Sequence, residues 1–276
     1  MFAMVQGALS AYREFGSGPT VLLLHGLGAS GESFLDVAED LARDYHVVVP
    51  DLLGNGRSDK PPGDYGAQAL ARHQAELLSR IGATPVFALV GHSLGALVAV
   101  ELCARLRDAG AVQKLCLIDP PPPGGFPLAA LLAGFTAGSR GSALVQAILP
   151  TRLLARAWLR FLYADPKRLQ PGVLDRYAKM AAARGSAAAT VASIRAMGKL
   201  RLPTEVAPPT LLLWGAEDPI FPPSGAVEWQ EKLPRSKTLI LPACGHCGPE
   251  EAPRAVARAL RDFFAEGESA QAATTH

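Results

Sequence analysis

The pentapeptide Gly91-His92-Ser93-Leu94-Gly95 sets a hydroxyl between two glycines. It follows the apolar run 86–90 and precedes a helical pattern starting at Leu94, so Ser93 falls on a strand-to-helix turn. A turn that sharp strains its apex, and side chains on the flanks would collide with the adjoining strand and helix. Glycines at both ends remove the collision and leave the Ser93 hydroxyl projecting above the sheet as a candidate nucleophile. Without chemistry, the same five residues would simply be a glycine-rich connection. A serine hydroxyl attacks poorly at neutral pH and needs a base. His246 lies just after the last strand-like run, at the edge where the Ser93 turn emerges, and Gly245 before it suits a loop that carries the ring across. Five other histidines compete less well. His92 is expected to point away from Ser93, and His25 belongs to a glycine loop. His46 opens a strand, His73 sits on a surface-type helix, and His276 ends the chain.

Further motifs recur in a fixed order along the chain. They are His25-Gly26-Leu27-Gly28, the loop Asp51 to Asp59, the serine pentapeptide, Trp214-Gly-Ala-Glu-Asp-Pro219 and Gly245-His246. In that order and spacing the chain resembles the α/β-hydrolase family, in its capped, esterase-like serine-hydrolase branch, over about residues 20 to 265. Position 93 is serine, which sets the chain apart from relatives whose nucleophile is aspartate.

The base needs an acid that fixes its tautomer and stabilises the imidazolium. Asp218, in a loop after the strand-like run 210–214, gives the chain order Ser, Asp, His. Asp119 is the rival, since it also ends a strand and some relatives carry the acid there, whereas Glu217 is expected to face elsewhere. Either aspartate could instead close an Asx turn before proline. A tetrahedral intermediate needs two fixed N–H donors. The resemblance implies the backbone N–H groups of Leu27 and Leu94, with both leucine side chains free to line an acyl pocket. It also implies that His25 braces the loop. His25, Trp158 and Arg156 stand as candidate substrate contacts. Arg57, Ser58 and Asp59 are read as pinning the Asp51–Asp59 loop.

The elements that must position these groups alternate. Apolar, strand-like runs occupy 21–24, 45–50, 86–90, 114–118, 210–214 and 237–241, as expected of parallel strands buried on both faces. Helical patterns occupy 32–44, 67–81, 94–109, 224–233 and 254–265, and residues 4–15 suggest an antiparallel hairpin at one edge. The expected fold is α/β: a doubly wound, mostly parallel sheet of the α/β-hydrolase type, with a helical cap inserted after the sixth strand. Residues 1–119 and 204–265 would form the core, 120–203 the cap, and 266–276 a disordered tail. Within the cap, helical spacing appears at 128–137, 144–149, 152–164 and 187–199.

Length and composition agree. At 276 residues, 49% hydrophobic and with a mean hydropathy of +0.17, the chain is a core-forming protein rather than a disordered one. Its 27 Lys and Arg against 25 Asp and Glu exclude a polybasic nucleic-acid binder. The charge is unevenly shared: residues 120–203 hold 12 Lys and Arg but only Asp165 and Asp175 as acids. Arg152, Arg156 and Arg160 repeat every four residues, either as a solvated stripe snorkelling over an apolar lid or as a cleft face selecting an anionic substrate. Docking to anionic lipid is a third reading, because apolar and basic residues alternate there.

Four cysteines are too few for a disulfide scaffold, and Cys244 and Cys247 around His246 lack the context of a redox or zinc motif. No GxxxxGK[ST] loop occurs and no GxGxxG is read as opening a helix after a strand, so no nucleotide cofactor is expected, nor is a metal. The N-terminal residues lack the charge pattern of a signal peptide, and a cytoplasmic, soluble monomer or homodimer acting on a small molecule is expected, with a membrane partner disfavoured. The chemistry implied is ester hydrolysis of small-to-medium apolar acyl or aromatic groups. Hydrolysis of a C–C bond in a vinylogous diketone, thioester cleavage, and a hydrolase-like binding protein remain as alternatives.

Overall fold

The computed structural model describes residues 1–107, 112–125, 152–198, 202–203 and 208–266. Eight strands form one sheet: β1 (Phe2–Val5), β2 (Ala8–Phe15), β3 (Thr20–Leu24), β4 (His46–Pro50), β5 (Val86–His92), β6 (Lys114–Ile118), β7 (Thr210–Gly215) and β8 (Ser236–Leu241). Their spatial order is β1-β2-β4-β3-β5-β6-β7-β8, with β1 and β2 antiparallel and the six others parallel to one another. Strands β3, β6 and β7 are buried at every residue, which is why their sequences run apolar without alternation.

Successive side chains nevertheless serve opposite layers. Leu22, Leu24 and Leu89 pack beneath α2 (Ala67–Arg80) and α3 (Leu94–Arg105), together with Trp229 of α7 (Ala226–Lys232). Val21, Leu23 and Val90 face α1 (Leu35–Leu41) and α9 (Pro253–Ala265). Between β6 and β7 lie α4 (Arg152–Leu162), α5 (Val173–Ala182) and α6 (Ser186–Met197), the described part of the cap. The short α8 (Gly248–Glu251) follows the His246 loop.

Several expected elements shift. The helix foreseen over 32–44 begins as a 3-10 turn, Gly31–Phe34, and its α-helical part is only α1. Helices α5 and α8 were not foreseen: α5 is short and interleaves Lys and Arg with its apolar residues, and α8 is a single turn whose sequence opens Gly-Pro. The helical patterns at 128–137 and 144–149, and the tail beyond Glu266, lie outside the described residues.

The topology fixes where chemistry can occur. The chain passes from β3 outward to β4 and then back across to β5, so the loops after β3 and β5 diverge at the carboxyl edge and leave a crevice. Leu27 follows β3, Ser93 follows β5, Asp119 follows β6, Asp218 follows β7 and His246 follows β8.

Candidate active site

Ser93 holds φ +52° and ψ −119°, a conformation that costs an L-residue about 1–2 kcal/mol and persists only where its surroundings impose it. Its N–H donates to the Ile118 carbonyl at 2.9 Å, fastening the turn to the next strand. The flanking glycines behave as steric reasoning requires: a Cβ on Gly91 would overlap the Gly95 carbonyl, and one on Gly95 would overlap the Leu24 carbonyl.

Ser93 and His246 line the same cavity of about 660 Å³ between the sheet edge and the cap. His246 Nδ1 donates to Asp218 Oδ2 at 2.7 Å, leaving Nε2 as the ring's proton acceptor. The other Asp218 oxygen accepts the N–H groups of Ile220 (2.8 Å) and Phe221 (3.0 Å), so its carboxylate closes an Asx turn as well as holding the ring. Asp119 is fully buried and spends Oδ1 on the Gly215 N–H at 2.8 Å, while Oδ2 has no hydrogen-bond partner among the described residues. Burial, and then the neighbouring Asp218 carboxylate, raise the Asp119 pKa well above the ordinary range. Of the two aspartates, only Asp218 bonds the imidazole.

His92 departs from expectation. Its ring lines the cavity, lies 4.9 Å from the His246 ring, and donates from Nε2 to the His246 carbonyl oxygen at 2.7 Å. Burial first, then His246, lowers its pKa to about 3, so the ring is neutral. The sequence signal was its place beside Ser93, but nothing local revealed that the β8 loop would arrive beneath it.

Glu251 was also missed. Its buried carboxylate accepts three backbone N–H groups, from Gly245 (2.8 Å), Ala164 (3.2 Å) and Asp165 (2.8 Å). The His246 N–H meanwhile donates to Leu162 at 2.8 Å. The end of α4 and the His246 loop are thereby tied together. Around the corner, Glu250 takes the Tyr177 hydroxyl at 2.9 Å and the Arg176 guanidinium, anchoring α5.

Other expected residues fall as follows. His25 is fully buried behind the loop, donating from Nδ1 to Gly26 (2.7 Å) and accepting at Nε2 from the Leu52 N–H (2.9 Å). Both ring nitrogens are thus occupied, so it braces the loop and does not reach the cavity. Leu27 lines the cavity, whereas the Leu94 side chain packs into the core under the sheet. Trp158 lines the cavity beside Phe161. Arg156 does not: α4 turns Leu154, Trp158 and Leu162 to the cavity and the arginine stripe to solvent, with Arg152 paired to Asp175. His73 is buried rather than superficial, because β2 covers it and Ser10 Oγ lies 2.5 Å from its Nε2. Ser58 and Asp59 pin their loop to β2, through Ala11 N–H (2.9 Å) and Leu9 N–H (2.7 Å).

Gly26-Leu-Gly28-Ala-Ser-Gly31 has GxGxxG spacing after β3 and before a helix, against the expectation that no such motif occurs in that context. The acid some 20 residues on, Asp51, is committed to the loop itself, accepting Gly31 N–H and Arg57 N–H, each at 2.8 Å. No carboxylate there is left for a ribose. All four cysteines are free and buried, and burial raises every thiol, Cys103 to about 11. No helix among the described residues is long and apolar enough to cross a membrane.

The loops after β3, β4, β5, β7 and β8 converge from one carboxyl edge on an apolar cavity, the arrangement of a hydrolase of the α/β class. Residues 19–253 match the family model described as alpha/beta hydrolase fold, and the chain belongs to that family. Among its relatives is an uncharacterized protein of Mycobacterium tuberculosis, 31% identical over 89% of this chain and 75% of that one. The 2-hydroxy-6-oxo-6-(2'-aminophenyl)hexa-2,4-dienoic acid hydrolase of Metapseudomonas resinovorans is 26% identical over 95% of this chain and 90% of its own length. Among solved structures, a thermophilic esterase from Thermogutta terrifontis superposes with a TM-score of 0.81, at 26% identity, over 96% of this chain and 97% of that one.

Proposed function

We propose that the protein is a cofactor-independent serine esterase, hydrolysing esters of small-to-medium apolar acyl or aromatic groups through an acyl-enzyme. In this reading residues 120–203 act as a cap over a core made of 1–119 and 204–265. Ser93 Oγ attacks the ester carbonyl and its proton passes to His246 Nε2, while Asp218 holds the imidazolium. The oxyanion is met by the N–H groups of Leu27 and Leu94, neither of which has an acceptor among the described residues. His246 then protonates the departing alkoxide, an alcohol leaves, and water attacks the acyl group by the same route to release the acid and free Ser93.

The observation that carries the substrate class is the cavity lining. Among the described residues it includes no Asp, Glu, Lys or Arg, and Leu27, Trp158, Phe161, Ile194 and Phe221 supply much of its surface. A ring-fission dienoate or an acyl-CoA brings negative charge, and burying it unpaired is costly. Neutral esters avoid that cost, which also argues against selection of anions by the cap arginines.

The experiment is a substrate panel: p-nitrophenyl butyrate, a carboxylated ester, acyl-CoA and a ring-fission dienoate, each with wild type and Ser93→Ala, alongside fluorophosphonate labelling. The reading expects the highest kcat/KM on the neutral ester, labelling of the wild type alone, and loss of turnover in Ser93→Ala with an unchanged circular dichroism spectrum. Faster turnover of the dienoate or acyl-CoA would make C–C or thioester cleavage the function. An unlabelled wild type would make the protein a binder.

A further inference from the structure

Helix α4 is amphipathic in an unusual sense, because its apolar arc is only partly buried. Leu159 and Leu162 face the protein interior. On the next arc stand Arg152, Arg156 and Arg160, all exposed. Beyond them comes an arc of Leu153 (79% exposed), Phe161 (52%), Leu154 (37%) and Trp158 (49%). A helix on a water-facing surface normally presents polar residues over such an arc. No acidic residue occurs in α4, and Arg156 and Arg160 have no ion-pair partner among the described residues. Leu154, Trp158 and Phe161 also line the Ser93 cavity, so the exposed apolar arc is the lip of that cavity.

We propose that α4 is an interfacial docking helix that seats the mouth of the cavity on an anionic phospholipid surface. Tryptophan, phenylalanine and leucine on one arc and arginines on the adjoining one are the composition of helices that lie in the headgroup region. The arginines meet lipid phosphates while the apolar arc enters the acyl boundary. An acidic protein or nucleic acid would satisfy the arginines and leave Leu153 and Phe161 in water, so a lipid surface fits both arcs at once. Docking stands apart from the ester reading, and only the delivery of apolar esters from the bilayer to Ser93 rests on it.

The chain supplies its own reporter. Of its three tryptophans, Trp214 and Trp229 are each 1% exposed, leaving Trp158 as the one whose emission should respond to lipid. The full chain is mixed with phosphatidylcholine vesicles with and without phosphatidylglycerol, and sedimentation, emission maximum and quenching by brominated acyl chains are read. The anionic vesicles are expected to bind the protein and to blue-shift and quench Trp158. Arg156→Ala with Arg160→Ala should lower partitioning on the order of 25-fold, at about fivefold per lost charge. Leu153→Asp should abolish the blue shift. Neither variant touches the cavity, so hydrolysis of a dissolved ester should match wild type in both. No binding to anionic vesicles, equal binding to neutral ones, or unchanged partitioning in the double variant would each overturn the proposal. Vesicle binding by a protein without esterase activity would sink the ester reading and leave docking intact.

Discussion

His92 donates its Nε2 proton to the backbone carbonyl of His246, joining the residue before the candidate nucleophile to the candidate base at 2.7 Å. The two lie 154 positions apart, so this bond ties the turn after β5 to the loop after β8. Removing it leaves a buried carbonyl unpaired and loosens the imidazole, and a loss of about 1–3 kcal/mol follows from the first effect. His92→Ala is expected to lower kcat on the order of tenfold or more with little change in KM. His92→Gln, which keeps an N–H donor, should recover part of it. Steady-state ester kinetics on both variants decide; equal kcat in His92→Ala and wild type would mean that the bond positions nothing.

The same histidine shapes the acid limb of stability. Its folded pKa is lowered from 6.5 to about 3, so the unfolded chain binds a proton that the native state refuses. The stabilisation is complete above pH 6.5 and drains away as pH falls toward 3. Urea unfolding across that range should give a shallower acid slope for His92→Gln than for wild type. Identical slopes would contradict a buried, neutral ring.

Asp119 and Asp218 should respond oppositely to amidation. Asp218→Asn removes the acceptor of the His246 Nδ1 proton, and a fall in kcat of about 10⁴-fold is expected, the scale set by the wrong tautomer in serine proteases. Asp119, whose pKa is raised by burial and by Asp218, is protonated where an ordinary aspartate is not. Its native state therefore binds the extra proton, and stability declines as pH rises above the unfolded value of 3.8. Asp119→Asn mimics the neutral acid, so kcat should stay within about tenfold of wild type and the alkaline decline should flatten. A larger kcat loss in Asp119→Asn than in Asp218→Asn would reverse the assignment of the two carboxyl groups.

Glu251 ties the residues after α4 to the His246 loop. Truncation to alanine strands three N–H groups, at Gly245, Ala164 and Asp165, and should cost about 3 kcal/mol, lowering Tm by on the order of 10 °C. Because two of these groups follow α4 and one lies in the His246 loop, amide exchange should speed up at 162–165 and 245–246 together. Faster exchange on one side alone would show that the carboxylate does not couple them.

How much of this was legible depended on the range over which each interaction is encoded. Ser93, with its glycines, strand and helix, is a local pattern, and so is the run of apolar strands. That Asp218 and His246 lie at one edge could be read because each follows a strand, β7 or β8, whose succession is implied by alternation. Asp119 could not be separated from Asp218 in the sequence, since the choice turns on which loop bends toward the imidazole. His92, Glu251 and the buried His73 act on partners 154, 86 and 63 residues away, and no local period announces such pairs. The arginine stripe was visible, but its orientation followed from Leu159 and Leu162 facing inward, a matter of packing.

The glycines around Ser93 permit a test that separates collision from conformational strain. Gly95 has its missing Cβ position occupied by the carbonyl oxygens of Leu24 and His25, rigid backbone of β3 and the loop that follows it. Gly28 adopts φ +69° yet has nothing within 4 Å of its missing Cβ. An alanine at Gly28 therefore meets only the cost of a left-handed conformation, about 1–2 kcal/mol. An alanine at Gly95 must push β3 from α3 and is expected to cost more than about 4 kcal/mol, enough to prevent folding or to displace Ser93. Thermal unfolding of the two variants, with ester kinetics on whichever folds, compares them directly. Gly28→Ala should fold and Gly95→Ala should fail or lose the Ser93 geometry. Equal destabilisation would mean that backbone conformation, not the close approach of β3, is what the glycines of this edge provide.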